Sequence, residues 1–420
     1  MPLHASFRLL GKTPLLIAAL VCVLALPALV GRIHSNAGAI RAQENRKMAT
    51  LPPLLLFRNS AQAFIRATEA WMNDSIGFRQ QANALYRKFQ QSSFHKAPQP
   101  NITLGLDGHV FLNSPDTSRP FLFFDALCIK QGDASPELFR HLDATMAAAG
   151  NLFQRQGAEV VFAIVPSPLT LYADKLPLNL PARYREACAA YPEKDHVLAR
   201  LQRHGESTGR YRIFYPYELF ASHKNEKYFW PKERFHWEGR SAYLFARHLL
   251  RTSKVANTVA LHDPAVSAPV EDDLTGFFGY SRPVTAYVYS YAKQPSALLV
   301  EPWAKKLSEQ QILTHFRTSR SLSDKTALMI ANSFGGMLAP HLARGFRHFY
   351  RVDTNWLQRQ KNQMAVFAAL REHIQPDYVY FVFDDQNLES LPRWLDSLVQ
   401  LQQKELQSSV RQESGHPAGP

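Results

Sequence analysis

Ser333 and His236 are the residues whose types and settings admit nucleophilic chemistry. Ser333 lies in Ala331-Asn332-Ser333-Phe334-Gly335-Gly336, directly after the apolar run Thr326 to Ala331 and before a short helical pattern from Met337 to Arg344. A hydroxyl there stands at the carboxyl end of a sheet strand, where α/β proteins bind their ligands. Gly335 and the helix start offer backbone N–H groups to a developing oxyanion, and the Asn332 amide can hydrogen-bond at the same turn. Serine needs a base to become a useful nucleophile. His236, in Tyr228-Phe229-Trp230-Pro231-Lys232-Glu233-Arg234-Phe235-His236-Trp237, is the candidate, just ahead of another helical pattern. Taken singly, neither residue is diagnostic: Ser and Gly are ordinary cap and turn residues, and a His-Trp pair more often packs than reacts.

Elements able to position these two groups follow from periodicity. Apolar residues at three- and four-residue spacing predict two amphipathic helices between Asn59 and Gln90, broken at Asp74 to Gly77. Leu104 to Leu112 reads as a strand, a glycine turn and a second short strand. Ser135 and Pro136 supply a helix cap and first turn, and Gly157 a stop before the buried strand Val160 to Val165. The same alternation returns with a helix around Val197 to Leu201, a strand near Ile213 and Phe214, and a helix from Ser241 to Leu250. The pattern weakens between Ala260 and Ser323, where Thr285 to Tyr291 is the one strand candidate. It sharpens again at Thr326 to Ala331, at a helix from Gln358 to Ile374 and at a last buried strand from Tyr378 to Phe383. Strands alternating with helices predict an α/β fold, a mostly parallel sheet with helices on both faces.

Composition narrows the functional classes. At 420 residues, 46% hydrophobic and 20% charged, the chain can bury a substantial core and is not a disordered polymer. Its 48 Lys and Arg against 35 Asp and Glu leave a net charge of +13, which suits nucleic acid, anionic lipid or an acidic polymer. Zinc-finger spacing, a basic zipper and an RNA-binding aromatic signature are all missing from the sequence, so nucleic acid is not the expected partner. His341 and His348 stand at i and i+7 without a carboxylate or Cys companion, and neither a metal nor a cofactor is expected. Arg8 and Lys12 precede an uncharged run from Thr13 to Gly31, between a long signal-peptide core and a short span. The nearest cleavage pattern, Ala37-Gly38-Ala39, is distant, which favours a signal anchor over a cleaved peptide. Either way the remainder is expected outside the cytoplasm. Cys128 and Cys188 have no diagnostic spacing: a disulfide and two separate buried thiols are equally open.

In combined order, these motifs resemble those of the alginate O-acetyltransferase family, whose members carry an SGNH-hydrolase-like domain. Asp74-Ser75-Ile76-Gly77-Phe78-Arg79 is similar to its first helical motif, Gly105 to Leu112 to its Gly-Asp-Gly strand pair, and Val160 to Pro177 to its strand, Pro and Tyr segment. His236-Trp237 resembles the second half of its Asp-x-His-Trp motif, and Asp273-Leu274 a later Asp-Leu mark. Asn332-Ser333-Phe334-Gly335 resembles its Asp-Ser-Phe block, and Pro376 to Leu388 its closing strand. Each match is short; the shared order carries the resemblance.

The resemblance implies O-acetyl transfer to an extracytoplasmic polysaccharide, with Ser333 acylated and His236 as base. A related acetylesterase, or a weakened polysaccharide-binding member, is the alternative. It also implies a multi-spanning membrane acyltransferase as acetyl donor and a place in the periplasm, held at the inner membrane. The expected divisions are a basic N-terminus (1–12), a signal anchor or signal peptide (13–31), a helical lead-in segment (32–100), an SGNH-hydrolase-like domain (101–404) and a disordered tail (405–420). Two positions depart from the family pattern. Arg234 stands where the family has the Asp two residues before the His, and Asn332 where it has the Asp before the nucleophile. A guanidinium beside His236 would oppose proton uptake, whereas a carboxylate would orient and stabilise the imidazolium. Glu233 could substitute only if the loop is re-registered, because neighbouring positions in an extended segment face opposite ways. On this basis Arg234→Asp should preserve the fold and raise activity.

Overall fold

Short runs that are apolar at nearly every position suit strands covered on both faces. Three such runs form adjacent strands at the centre of a sheet. The structure, a computed structural model, describes residues 49–75, 79–94, 96–255, 265–270, 272–278, 284–289 and 296–413. The anchor expected at 13–31 lies outside them. Among the described residues no helix is long and apolar enough to cross a membrane.

The chain divides into two compact units, residues 1–99 with 273–282, and 100–272 with 283–420. In the first, helices Leu54–Asn59, Ala61–Ser75 and Arg79–Phe94 carry the predicted three- and four-residue spacing. Phe57 and Phe64 pack edge to face at 5.5 Å, while Leu54 and Leu85 remain exposed. Asp273 and Leu274 belong to this unit.

Among its described residues the second unit holds eleven strands: β1 (Ile102–Leu104), β2 (Val110–Leu112), β3 (Glu159–Val165), β4 (Arg212–Phe214), β5 (Ala265–Val270), β6 (Val284–Tyr289), β7 (Ser296–Leu299), β8 (Leu313–Thr318), β9 (Thr326–Ala331), β10 (His348–Asp353) and β11 (Tyr378–Asp384). Strands β1 and β2 form an antiparallel pair, as do β5 and β6. The remaining seven form one sheet in the order β4-β3-β11-β9-β10-β8-β7. From β4 to β10 every pairing is parallel, and only β8 and β7 run antiparallel to their neighbours. The unit is therefore α/β with a mostly parallel sheet.

Alternate residues divide the sheet's two faces. Val160, Phe162 and Ile164 of β3, Leu328 and Ile330 of β9, and Phe381 and Phe383 of β11 share one core with helices Pro136–Gln154, Val197–Thr208, Gln363–His373 and Leu391–Glu413. Their neighbours Val161, Ala163, Met329, Ala331, Tyr380 and Val382 are equally buried. On that second face helix Phe334–Leu342 packs over β9, β10 and β11, and helix Arg240–Thr252 packs on it. Each fully buried Val, Ile or Phe contributes about 1.5–3 kcal/mol, so the central strands anchor the unit.

Local signals hold where they were strongest. Ser135 caps its helix by accepting from the Leu138 N–H, with Pro136 in the first turn. Two expectations need correction. The helix expected from Gln358 to Ile374 begins only at Gln363 and ends at His373, because the Asn362 side chain accepts from the Ala365 N–H and caps the helix there; a separate turn of helix, Thr354–Leu357, precedes it. The tail expected from 405 is helical up to Glu413, a continuation of the Leu391 helix through residues of good helix propensity.

Candidate active site

Parallel strands bring their carboxyl ends to one edge of the sheet, and that edge gathers the polar residues. Ser333 follows β9, Asp384 ends β11 and Asp353 ends β10. Asn332 extends the ladder by one residue, its N–H donating to the Val382 carbonyl at 3.3 Å. The chain then turns into helix Phe334–Leu342, the Gly335 N–H donating to Asn332 O and the Gly336 N–H to Ser333 O, each at 3.0 Å. Ser333 itself is right-handed helical (φ −56°, ψ −29°), so the nucleophile position carries no backbone strain.

Gly335 therefore has a different role from the one expected. Its N–H is engaged by Asn332 O rather than turned to an oxyanion. Its bare Cα is what the fold requires: a Cβ would lie 2.3 Å from the Ala331 Cβ and 3.2 Å from the Met329 Cε. The glycine lets the helix approach β9 closely, which fixes where Ser333 sits.

His236 arrives from the loop between helices Tyr217–His223 and Arg240–Thr252. That loop is tied at one end by the Val110 N–H of β2, which donates to the Lys232 carbonyl at 2.8 Å. At the other end, Gly239 (φ 51°, ψ −100°) occupies backbone space closed to other residues, and a Cβ there would lie 1.8 Å from the Tyr287 carbonyl oxygen of β6. Between these ties His236 and Trp237 each bond to the nucleophile turn. The His236 Nε2 lies 2.7 Å from the Ser333 Oγ, 97 residues away in sequence. The buried Trp237 indole N–H donates to the Phe334 carbonyl at 2.9 Å. Phe235 and Phe334 flank the imidazole, with ring centroids at 4.7 and 4.9 Å. Ser333 and His236 are both partly exposed, so a substrate can reach the pair.

A distance of 2.7 Å lies within the reach a serine–base pair needs. With the Ser333 hydroxyl donating, Nε2 is the acceptor and the ring proton resides on Nδ1. The Ser333 hydroxyl also adjoins the amino end of helix Phe334–Leu342, whose dipole favours negative charge there.

The two departures from the family pattern acquire definite settings. Arg234 is buried, and its guanidinium lies 3.2 Å from the Glu238 carboxylate. The cation before His236 is thus half of an ion pair with Glu238. Glu233 is half-buried between Lys232 and Arg234. The Asn332 amide is oriented at both ends: Oδ1 accepts from the Phe334 N–H at 3.1 Å, and Nδ2 donates to Asp384 Oδ1 at 2.6 Å. Asn387 Nδ2 donates to both oxygens of the same carboxylate, at 3.0 and 2.8 Å. Burial raises Asp384 from the ordinary 3.8 to about 6, against the opposing effect of these amide donors. Burial also raises Asp385, which accepts from Ser167 N, Thr170 Oγ1 and Tyr215 OH.

Asp384 and Asn387 were not singled out from the sequence, although Asp384-Asp385 closing the apolar run Tyr378 to Phe383 is a legible signal. Two adjacent carboxylates at the end of a buried strand demand partners. Cys128 and Cys188 form a disulfide, which resolves the alternative left open by their spacing. His341 is buried against Tyr243 and Tyr289, and burial lowers its pKa to about 3, leaving it neutral. His348 pairs with His315 at 3.0 Å.

No protein-family model matches the chain, and no curated protein matches it. Similar solved structures include Bacillus cereus PatB1 carrying a sulfonyl adduct, at 15% identity over 60% of this chain and 91% of that one, with a TM-score of 0.41. The O-acetyltransferase domain of Pseudomonas putida AlgJ is similar at 16% identity over 71% of this chain and 99% of that one, with a TM-score of 0.44. Pseudomonas aeruginosa AlgX is similar at 13% identity over 69% of this chain and 65% of that one, with a TM-score of 0.37.

Proposed function

We propose that the chain is a serine O-acyltransferase that moves an acetyl group to a hydroxyl of an extracytoplasmic polysaccharide, through an SGNH-hydrolase-like domain. The observation that carries this reading is the contact of His236 Nε2 with Ser333 Oγ at 2.7 Å, at the carboxyl edge of the parallel sheet. The motif order from Asp74 to Leu388 supports the choice of acetyl transfer. The Cys128–Cys188 disulfide supports an oxidising compartment, because such bonds persist outside the reducing cytosol.

In the proposed reaction Ser333 Oγ attacks the carbonyl carbon of an acetyl ester or thioester while its proton passes to His236 Nε2. Collapse of the tetrahedral adduct breaks the bond to the donor oxygen or sulfur, which leaves with the proton from Nε2. Acetyl-Ser333 remains. An acceptor hydroxyl then attacks the acetyl carbon and gives its proton to Nε2, and the departing Ser333 Oγ takes that proton back. Water in place of the sugar hydroxyl would make the same steps an esterase. A membrane acyltransferase as donor and attachment to the inner membrane by the segment at 13–31 complete the proposal.

Incubating the purified full chain with an activated acetyl ester and mapping the adduct by mass spectrometry tests it. Acetyl is expected on the peptide containing Ser333, absent in Ser333→Ala, and formed roughly 10²- to 10⁴-fold more slowly in His236→Ala. Equal labelling of wild type and Ser333→Ala would refute the reading. Adding an oligosaccharide acceptor separates transfer from hydrolysis, since only a transferase yields the acetylated sugar.

A further inference from the structure

Asp384 and Asn332 stand behind the proposed nucleophile in an arrangement that the reaction above does not use. The Asn332 amide has two ends of opposite polarity, and both are occupied: its oxygen by the Phe334 N–H, its nitrogen by the Asp384 carboxylate. Reversing the amide would set Oδ1 against the carboxylate and Nδ2 against an N–H, opposing like partners at both ends. The carboxylate is itself held across both oxygens by Asn387. Asp384 and Asn332 are both buried, 0% and 3% exposed, so water cannot take over either bond. The two residues between which Ser333 sits, Asn332 and Phe334, are thus locked to each other and to the end of β11.

We infer that Asp384 is a positioning residue, which fixes the orientation of the Asn332 amide and through it the turn that presents Ser333 to His236. This rests on the proposed role of Ser333 but adds a distinct requirement, that position 332 carry an amide because position 384 carries the carboxylate. An aspartate at 332 would bring two carboxylates to hydrogen-bonding distance, which can coexist there only by taking up a proton, whereas an amide supplies the donor that the buried carboxylate needs. The pair is a donor and an acceptor; exchanging the two residues restores the bond between them but gives up one of the two bonds from Asn387.

The test uses the full chain in four forms: wild type, Asp384→Ala, Asn332→Ala, and the exchanged pair Asn332→Asp/Asp384→Asn. Backbone hydrogen exchange over residues 331–336 reads the turn without reference to activity, and each single substitution is expected to speed exchange at the Phe334 N–H. Acylation by a small acetyl ester is expected to slow roughly 10- to 100-fold in the single variants through kcat, with KM changed by less than about twofold, because a displaced nucleophile leaves ester binding intact. The exchanged pair is expected to recover part of both losses, since the bond between positions 332 and 384 returns and one Asn387 bond does not. Unaltered exchange at Phe334 in both single variants would overturn the inference, and so would an exchanged pair no better than the worse single. If wild type fails to acylate, the proposed reaction falls, and the exchange measurement still decides whether Asp384 holds the turn.

Discussion

Replacing Arg234 by aspartate separates two accounts of the loop before His236. From sequence alone, an anion two residues before the imidazole would orient it, so Arg234→Asp would leave the fold intact and raise activity. In the structure the Arg234 side chain is 5% exposed and lies 3.2 Å from a Glu238 side chain that is 21% exposed. Replacing Arg234 takes the guanidinium from the Glu238 carboxylate; breaking a buried pair costs about 3–5 kcal/mol, and the partial exposure of Glu238 favours the lower end. A carboxylate at 234 adds repulsion: two unit charges about 8 Å apart at an effective dielectric near 20 interact by about 2 kcal/mol. The expected loss is at least about 3 kcal/mol, a shift of more than 100-fold in the folding equilibrium. Urea unfolding of the full chain, followed by tryptophan fluorescence, measures it. Arg234→Lys should lose less than half as much, and Arg234→Asp/Glu238→Arg should recover at least half. An unchanged unfolding midpoint in Arg234→Asp, together with faster acylation of Ser333, would refute the ion-pair account.

Other positions give sharp expectations. Trp237→Phe removes the indole donor from the Phe334 carbonyl, which keeps its place in the helix, so calorimetry should show a loss of about 0.5–1.5 kcal/mol, and acylation should slow more than ester KM changes. Gly239→Ala combines a positive φ with a carbonyl 1.8 Å from the new Cβ; a loss below about 1 kcal/mol in the unfolding free energy would show that the β6 contact is not rigid. Reducing Cys128–Cys188 opens a loop with a sequence separation of 60, so thermal unfolding with and without reductant should differ by about 4 kcal/mol in the chain-entropy account. Asp384 titrates near 6 when folded against an ordinary 3.8, so its contribution to stability is complete below 3.8 and is lost as pH rises through 6. Between pH 4 and 7 wild type should therefore lose about 3 kcal/mol relative to Asp384→Asn, and parallel pH profiles for the two would contradict the raised pKa.

Much of this fold is legible locally. Val160 to Val165, Thr326 to Ala331 and Tyr378 to Phe383 are apolar at nearly every position, and each is a central strand, since only burial on both faces tolerates such runs. Ser135 and Pro136 mark a helix start because capping depends on groups three residues apart. Strands β8 and β10 escaped notice because they lie toward one side of the sheet and carry His315, Arg317, His348 and Arg351 among their apolar residues. The position of Ser333 between a buried strand and a helix was also legible, although Ser is an ordinary cap residue there and only the motif order singled it out. His236 was named as its base on residue type and motif order, but no local pattern encodes their contact, which spans 97 residues and depends on the loop tied to β2 and β6. The contact of Asn332 with Asp384 spans 52 residues and arises from the pairing of β11 with β9. The same holds for Arg234 and Gly335. Residue type suggested a charge acting on His236 and an N–H facing an oxyanion; packing instead assigned a partner at Glu238 and a contact at Ala331. Side-chain direction in a loop and free space above a strand are set by what the rest of the chain brings alongside, and that exists only once the sheet has formed.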